Sequence, residues 1–359
     1  MFIQDLGWNA YFAAQWKAEE RAASSPARVV AQQRGLWRLC GEFEECWAEP
    51  SGRLRLAAHA GGDWPAVGDW VAAENCSSGA TGIIQSVLAR RSKFSRQEAG
   101  KRIAEQVIAA NVDHAVVVAG LDGDFNPRRI ERYLAQCWES GARAMIVLNK
   151  ADQCVEQREY VRAIETVAMG APFFVLSART GTGMDDFEAS LPNGETVVFL
   201  GSSGVGKSTL LNRLLRRETQ ATRPVRKGDS RGRHTTTTRE LFVLPNGALV
   251  IDTPGLRELQ LWEADEGVLQ TFGEIADLAA RCKFRNCSHQ GEPDCAVAAA
   301  LQSGSLPPQR LANMRKLQRE QEFVLRKTDP EEQHKHKKSI KILFRRIRQN
   351  LHSKDKSMP

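Results

Sequence analysis

Gly201-Ser202-Ser203-Gly204-Val205-Gly206-Lys207-Ser208-Thr209 follows the apolar run Val197-Val198-Phe199-Leu200 and opens onto Leu210-Leu211-Asn212-Arg213-Leu214-Leu215. Strand, glycine-rich turn and helix come in that order, and the turn matches G-x-x-x-x-G-K-[ST]. Such a turn lets backbone N–H groups close around a phosphate chain at a helix N-terminus. Lys207 is placed to reach the β- and γ-phosphates and to serve their transfer, and the Ser208 hydroxyl to bind Mg²⁺. A simple connector would explain the glycines but not the lysine and serine in register with both flanking elements. The stretch reads as a nucleotide-binding loop.

Upstream, buried-type strands alternate with helices. Ala115-Val116-Val117-Val118-Ala119 precedes a helix over 128–140, and Ala144-Met145-Ile146-Val147-Leu148 ends in Asn149-Lys150-Ala151-Asp152. After a helix over 155–169, Pro172-Phe173-Phe174-Val175-Leu176 ends in Ser177-Ala178-Arg179. Downstream, Leu241-Phe242-Val243-Leu244 and Ala248-Leu249-Val250-Ile251 pair across Pro245-Asn246-Gly247, and the second ends in Asp252-Thr253-Pro254-Gly255. The alternation predicts a mostly parallel sheet with helices on both faces. Ligands of such sheets bind at the carboxyl ends of the strands, where every one of these motifs lies.

Asn-Lys-x-Asp recurs by chance, but not at a strand end upstream of a Ser-Ala strand end and a phosphate loop. The Asp152 carboxylate can accept from guanine N1–H and the 2-amino group, each charge-assisted bond contributing about 1.5–3 kcal/mol. Adenine offers neither donor there, so the base is expected to be guanine. Asn149 braces the loop, the Lys150 stem covers the base, and the Ala178 N–H meets the guanine carbonyl. Asp252 supplies a carboxylate for Mg²⁺ through water and Gly255 an N–H for the γ-phosphate. In the polar segment 228–238, one of four consecutive threonines is expected to complete the Mg²⁺ shell, Thr236 or Thr237. Small GTPases place a water-orienting glutamine after the D-x-x-G glycine. Here Leu256 stands there, so intrinsic turnover should be slow, and His234 is a candidate for the missing catalytic group, with a surface or hinge role as the alternative.

Further on lies Cys282-Lys-Phe-Arg-Asn-Cys287-Ser-His289-Gln-Gly-Glu-Pro-Asp-Cys295. Three thiolates and one imidazole suit a closed tetrahedral Zn²⁺ site with no place for catalytic water. The site is expected to be structural, pinning a module that carries a basic helix over 308–327. The other five of the eight cysteines are scattered as free thiols, which fits a reducing cytoplasm.

The chain has 359 residues and a net charge of +7, with 42% hydrophobic and 26% charged residues. That is enough for two or three soluble domains. No apolar run approaches the roughly 18 residues of a membrane span, and the N-terminus lacks the pattern of an export signal. Residues 1–27 read as one amphipathic helix. Over 28–95, five short strand-like runs (Arg28-Val29-Val30, Leu36-Trp37-Arg38-Leu39, Leu54-Arg55-Leu56, Asp69-Trp70-Val71 and Gly82-Ile83-Ile84) suggest an OB-type barrel. Arg34, Trp37, Arg38, Arg53 and Arg55 could give it a nucleic-acid face, unless the tryptophans fill its core. The GTPase domain is placed at 96–270, the zinc module at 271–330 and a basic tail at 331–359. From Gln333 on, nine Lys or Arg face the single acid Asp355, which suggests a polyanion partner or a solvated tail.

The motif order is N-K-x-D, S-A, phosphate loop, threonine loop, D-T-P-G, a circular permutation of the usual GTPase. With a barrel in front and C-x4-C-x-H-x5-C behind, the chain closely resembles the RsgA family of GTPases dependent on the small ribosomal subunit. Val67-Gly68-Asp69-Trp70-Val71, Ala110-Asn111-Val112-Asp113, Gly232-Arg233-His234-Thr235-Thr236-Thr237 and Ala296 carry the resemblance, over about 28–325. It implies a monomeric cytoplasmic factor for late small-subunit maturation. Such a factor binds ribosomal RNA, hydrolyses GTP to GDP slowly, is stimulated by the subunit and helps release other assembly factors. The family also carries a hydrophobic residue where Leu256 stands. Two other readings are an RNA-binding module with structural GTP and a GTPase held at a membrane by its tail.

Overall fold

The computed structural model describes residues 2–18, 24–33, 35–43, 45–59, 64–76, 80–97, 105–123, 125–216, 239–252 and 265–328. The chain divides into two compact units, one holding a barrel and an α/β sheet, the other holding the helices from residue 265 on.

The N-terminal stretch expected as one helix is two short elements, a 3-10 turn at Ile3–Leu6 and α1 at Ala10–Ala18. Gly7, left-handed at φ 84°, separates them. Trp8 and Phe12 lie 4.7 and 5.9 Å from Trp70, so this segment packs aromatic rings onto the barrel. The barrel comprises β1 (Ser25–Gln33), β2 (Leu36–Gly41), β3 (Cys46–Pro50), α2 (Gly52–His59), β4 (Trp70–Glu74) and β5 (Gly82–Val87). Its strands pair in the order β1-β2-β3-β5-β4 and close through β4 onto β1. All pairs are antiparallel except β3 with β5. This is the closed five-stranded barrel expected of the OB type.

One expected strand is wrong. Leu54-Arg55-Leu56 lies in α2, whose first turn is capped by the Ser51 hydroxyl accepting from Leu54 N–H at 3.2 Å. The third strand is β3, where Cys46, Ala48 and Pro50 are buried and Trp47 and Glu49 exposed. That period-2 alternation is a strand signal present in the sequence.

A two-stranded ribbon, β6 (Lys93–Gln97) with β7 (Glu105–Ala110), leads into the α/β part. There β8 (His114–Gly120), α3 (Pro127–Glu139), β9 (Arg143–Asn149), α4 (Gln157–Glu165), β10 (Phe173–Val175), α5 (Met184–Ala189), β11 (Thr196–Leu200), α6 (Lys207–Leu214), β12 (Arg239–Val243) and β13 (Leu249–Asp252) follow in turn. Along the sheet the order is β10-β9-β8-β11-β13-β12, parallel except for β12. Side chains alternate between its faces. Val117, Ile146, Val198 and Ile251 share a core with Ile130 and Leu134 of α3, Ile164 of α4 and the barrel interior. Val116, Val147, Val197 and Val250 pack on the opposite face with Phe187 of α5 and Leu210, Leu211 and Leu214 of α6. Asn126 caps α3, with Pro127 in its first turn.

The barrel and the α/β sheet are one hydrogen-bonded surface, because β12 pairs antiparallel with β1. Arg28 of β1 fixes the joint from inside at 1% exposure. Its guanidinium donates to the carbonyls of Leu6, Gly68 (3.2 Å) and Asn111 (3.3 Å) and to the Thr196 hydroxyl (2.8 Å). Burial lowers its pKa to about 10. Gly68 has φ 95°, and a Cβ there would stand 2.1 Å from the Ala110 carbonyl. Next to it, Asp69 accepts a two-pronged ion pair from Arg90 at 2.7 and 2.8 Å. The Val67–Val71 and Ala110–Asp113 runs are thus the two sides of this joint.

In the second unit, α7 (Asp265–Thr271), α8 (Gly273–Ala279), α9 (Ala296–Gln302) and α10 (Pro308–Thr328) bury Phe272, Ile275, Val297, Leu306 and Leu317. Arg310 lies over the Phe272 ring at 4.6 Å. No helix among the described residues is long and apolar enough to cross a membrane.

Candidate guanine nucleotide site and cysteine cluster

Asn149 ends β9, Ser177 follows β10, Gly201 follows β11 and Asp252 ends β13. Four motifs far apart in the chain therefore meet at one edge of the sheet. The phosphate-loop backbone needs its glycines: Gly201, Gly204 and Gly206 have φ of 142°, 80° and 97°. A Cβ on Gly201 would stand 2.3 Å from the Val118 carbonyl, and one on Gly206 2.3 Å from Asn149 Nδ2. Val205 is buried within the loop, while Ser203, Ser208 and Thr209 are partly exposed. The Lys207 ammonium donates to the carbonyls of Gly201 and Ser202 at 2.7 and 2.6 Å.

Asn149 ties the loops together. Its Nδ2 donates to the Val205 carbonyl at 2.8 Å, and its Oδ1 accepts from the N–H groups of Lys150 (2.8 Å) and Ala178 (3.0 Å). Lys150 is left-handed at φ 68° and its ammonium reaches Asp122 at 2.5 Å. Ala151 N–H donates to the Leu176 carbonyl at 3.1 Å, joining the base motif to the end of β10. Asp152 accepts from the Ser177 hydroxyl at 2.5 Å and is paired with Arg179. The Ser177 hydrogen bond first, then the Arg179 charge, holds its carboxyl below the ordinary value. An ionised carboxylate is what a guanine edge requires.

At the phosphate end, burial first, opposed by the Lys207 charge and reinforced by Glu240, raises the Asp252 carboxyl to about 6. A largely enclosed acid opposite a second acid gains from a cation, which suits the Mg²⁺ role expected of Asp252. His234, Thr236, Thr237, Gly255 and Leu256 lie outside the described residues.

Three residues here escaped the sequence reading: Asp122, Arg179 and Arg129. Arg129 of α3 donates to the Ser202 hydroxyl. Asp122 follows β8, so its position past a strand end was a usable signal. Arg129 sits in the first turn of α3 beside Arg128 and Arg132, with nothing in the sequence to set it apart from them.

In the second unit, the ligand atoms of Cys282, Cys287, His289 and Cys295 lie within 4.8 Å of one another. Cys282 Sγ is 3.8 Å from Cys295 Sγ and 3.6 Å from His289 Nδ1, which is 3.4 Å from Cys295 Sγ. Bonds of about 2.3 Å to sulfur and 2.0–2.1 Å to nitrogen give tetrahedron edges of about 3.8 and 3.5 Å, so the cluster can hold one zinc ion. His289 and Asp294 take left-handed φ of 56° and 57° to bring the four donors round. Arg315 of α10 donates to the carbonyls of Ser288 and His289, both at 3.0 Å.

Residues 87–262 match the family model described as RsgA GTPase. The small ribosomal subunit biogenesis GTPase RsgA of Opitutus terrae is 47% identical, over 92% of each chain. The chain belongs to the RsgA GTPase family. YjeQ from Thermotoga maritima superposes with a TM-score of 0.63 at 27% identity, over 83% of this chain and 98% of that one. YloQ, described as a circularly permuted GTPase, shares the fold with a TM-score of 0.59 at 22% identity, over 85% and 97%. As an RsgA GTPase the protein hydrolyses GTP, with Mg²⁺ accompanying the nucleotide. Among the described residues, the reordered motifs of Asn149, Ser177, Gly201 and Asp252 converge at neighbouring strand ends.

Proposed function

We propose that this GTPase acts in late maturation of the small ribosomal subunit, hydrolysing GTP slowly until the subunit stimulates it. In this reading it binds ribosomal RNA, helps release other assembly factors and works as a cytoplasmic monomer. The close similarity to a protein named for small-subunit biogenesis supports it most directly. The Asn149 bridge between base motif and phosphate loop supports a built nucleotide site. Leu256 in place of glutamine supports slow intrinsic turnover, on the order of 10⁻⁴ to 10⁻² s⁻¹. We assign the base to Asn149, Lys150, Ala151, Asp152, Ser177 and Ala178, and the phosphates to 201–209 and Gly255. Ser208, Asp252 and Thr236 or Thr237 hold Mg²⁺, and His234 completes the catalytic group. One structural Zn²⁺ sits on Cys282, Cys287, His289 and Cys295. Unchanged phosphate release on adding purified small subunits, with large subunits as control, would sink the proposal. His234→Ala should remove stimulation while leaving GTP affinity alone.

One platform residue needs replacing. Trp37 is buried, its indole N–H donating to the Pro65 carbonyl at 2.7 Å, so it belongs to the core. Among the described residues of the barrel, Trp47 and Trp64 are exposed aromatic rings, at 37% and 38%.

A further inference from the structure

Trp47, Arg38, Ala31, Glu240 and Asp252 form one row across five adjacent strands. Arg38 is directly opposite Trp47 and Ala31, Ala31 opposite Glu240, and Glu240 opposite Asp252. Residues directly opposite share a face of the sheet. The row therefore runs from an exposed barrel tryptophan to the carboxylate assigned to the magnesium ion.

Its charges are arranged in an unusual way. Glu240 and Asp252 are two acids facing each other across a strand pair, which is destabilising when both are ionised. Glu240 is relieved by an ion pair with Arg38. Arg38 belongs to β2 and Glu240 to β12, so the pair reaches over β1. Ala31, small and buried at the crossing point, leaves room for it. The Arg38 and Glu240 side chains are 28% and 33% exposed. Arg38 also stands 3.6 Å from Glu45, a second acid on the barrel side. Arg239, next to Glu240, donates to Gln32 at 3.3 Å.

We propose that Arg38 is a positioning residue for the nucleotide site, neutralising Glu240 beside Asp252, and that a phosphate of RNA seated on the barrel draws Arg38 away and is thereby felt at the magnesium position. An arginine beside an exposed tryptophan is a suitable landing point for RNA, the cation meeting a phosphate and the ring a base. With Arg38 withdrawn, Glu240 faces Asp252 uncompensated. The negative potential at the cation position deepens, and Mg²⁺ binds at lower concentration. The RNA part rests on the function proposed above.

The test measures the Mg²⁺ concentration that half-protects a fluorescent GDP analogue from release, using the full chain. Arg38→Gln keeps much of the stem over Ala31 and removes the charge. It should lower the midpoint about two- to fivefold, the size of a partly exposed ion pair. In a Glu240→Gln background the same change should do nothing. A wild-type midpoint for Arg38→Gln, or an equal shift in the Glu240→Gln background, overturns the coupling. Small-subunit ribosomal RNA that binds the protein should lower the wild-type midpoint and not that of Arg38→Gln; a wild-type midpoint unmoved by bound RNA overturns the RNA part. Subunit-stimulated hydrolysis is read separately, so failure of the coupling and failure of the proposed function are distinguishable.

Discussion

The Asn149 side chain donates to the Val205 carbonyl at 2.8 Å and in the same pose accepts from the Ala178 N–H at 3.0 Å. One amide thus fixes the phosphate loop to the base-recognition loops, although 56 residues separate Asn149 from Val205. Shortening it strands a buried carbonyl and a buried N–H, each worth about 1–3 kcal/mol. Asn149→Ala should weaken GDP and GTP alike by on the order of 100-fold, at about 1.4 kcal/mol per factor of ten. Titration with fluorescent nucleotides checks this, and a tenfold or smaller loss would show that the bridge does not organise the site.

Asp152 provides a change of specificity. With Asp152→Asn, the amide can offer an N–H to the C2 oxygen of xanthine where the carboxylate accepted from the guanine 2-amino group. GTP affinity should fall and xanthosine triphosphate affinity rise, so that their order reverses in a competition assay. The pH dependence follows from the sign of the shift. The carboxyl is held below its ordinary value, so it stays ionised at neutral pH. Its contribution is lost only as pH falls through the folded value, below the usual carboxylate value of about 3.9. GDP binding should therefore show no step assignable to Asp152 between pH 8 and pH 5, and the comparison of wild type with Asp152→Asn isolates it.

Gly68 tests the joint. Alanine there meets both a left-handed φ of 95° and a carbonyl 2.1 Å from its Cβ. Gly35 supplies the control, since its φ is 81° and nothing lies within 4 Å. Gly35→Ala should cost about 1–2 kcal/mol from backbone strain alone. Gly68→Ala should cost about 3 kcal/mol or more, because a backbone atom must move. Urea unfolding of the two variants reads the difference, and equal losses would mean that the joint yields easily.

The cysteine cluster makes a stoichiometric prediction. Purified protein should release one zinc per chain to a strong chelator, and Cys287→Ser should hold it more weakly. Removal should expose the segment between α8 and α9 to protease, because the His289 and Asp294 turns are held by the donors they carry. GDP binding should survive, since every nucleotide-site residue described lies in the other unit. Loss of GDP binding on chelation would contradict that separation.

The amino-acid sequence by itself pointed to the chemistry proposed for this chain: a phosphate loop, a guanine motif, a carboxylate for the metal and four candidate zinc donors. These signals are local because each needs particular atoms at fixed spacing on one turn or strand end. Even the permuted order is legible, since strand ends converge whatever their order in the chain. Tertiary structure decided what depends on pairing at a distance. Leu54 to Leu56 alternates like a strand, yet the Ser51 cap starts a helix there, and β3 takes its place in the barrel. Arg28 reads as one basic residue in a strand until Thr196, 168 residues away, accepts from its guanidinium. The pairing of β1 with β12 joins barrel and sheet across more than 200 residues of chain. Backbone hydrogen bonds carry no side-chain signature of their partner, so that row of residues from Trp47 to Asp252 exists only in the folded sheet.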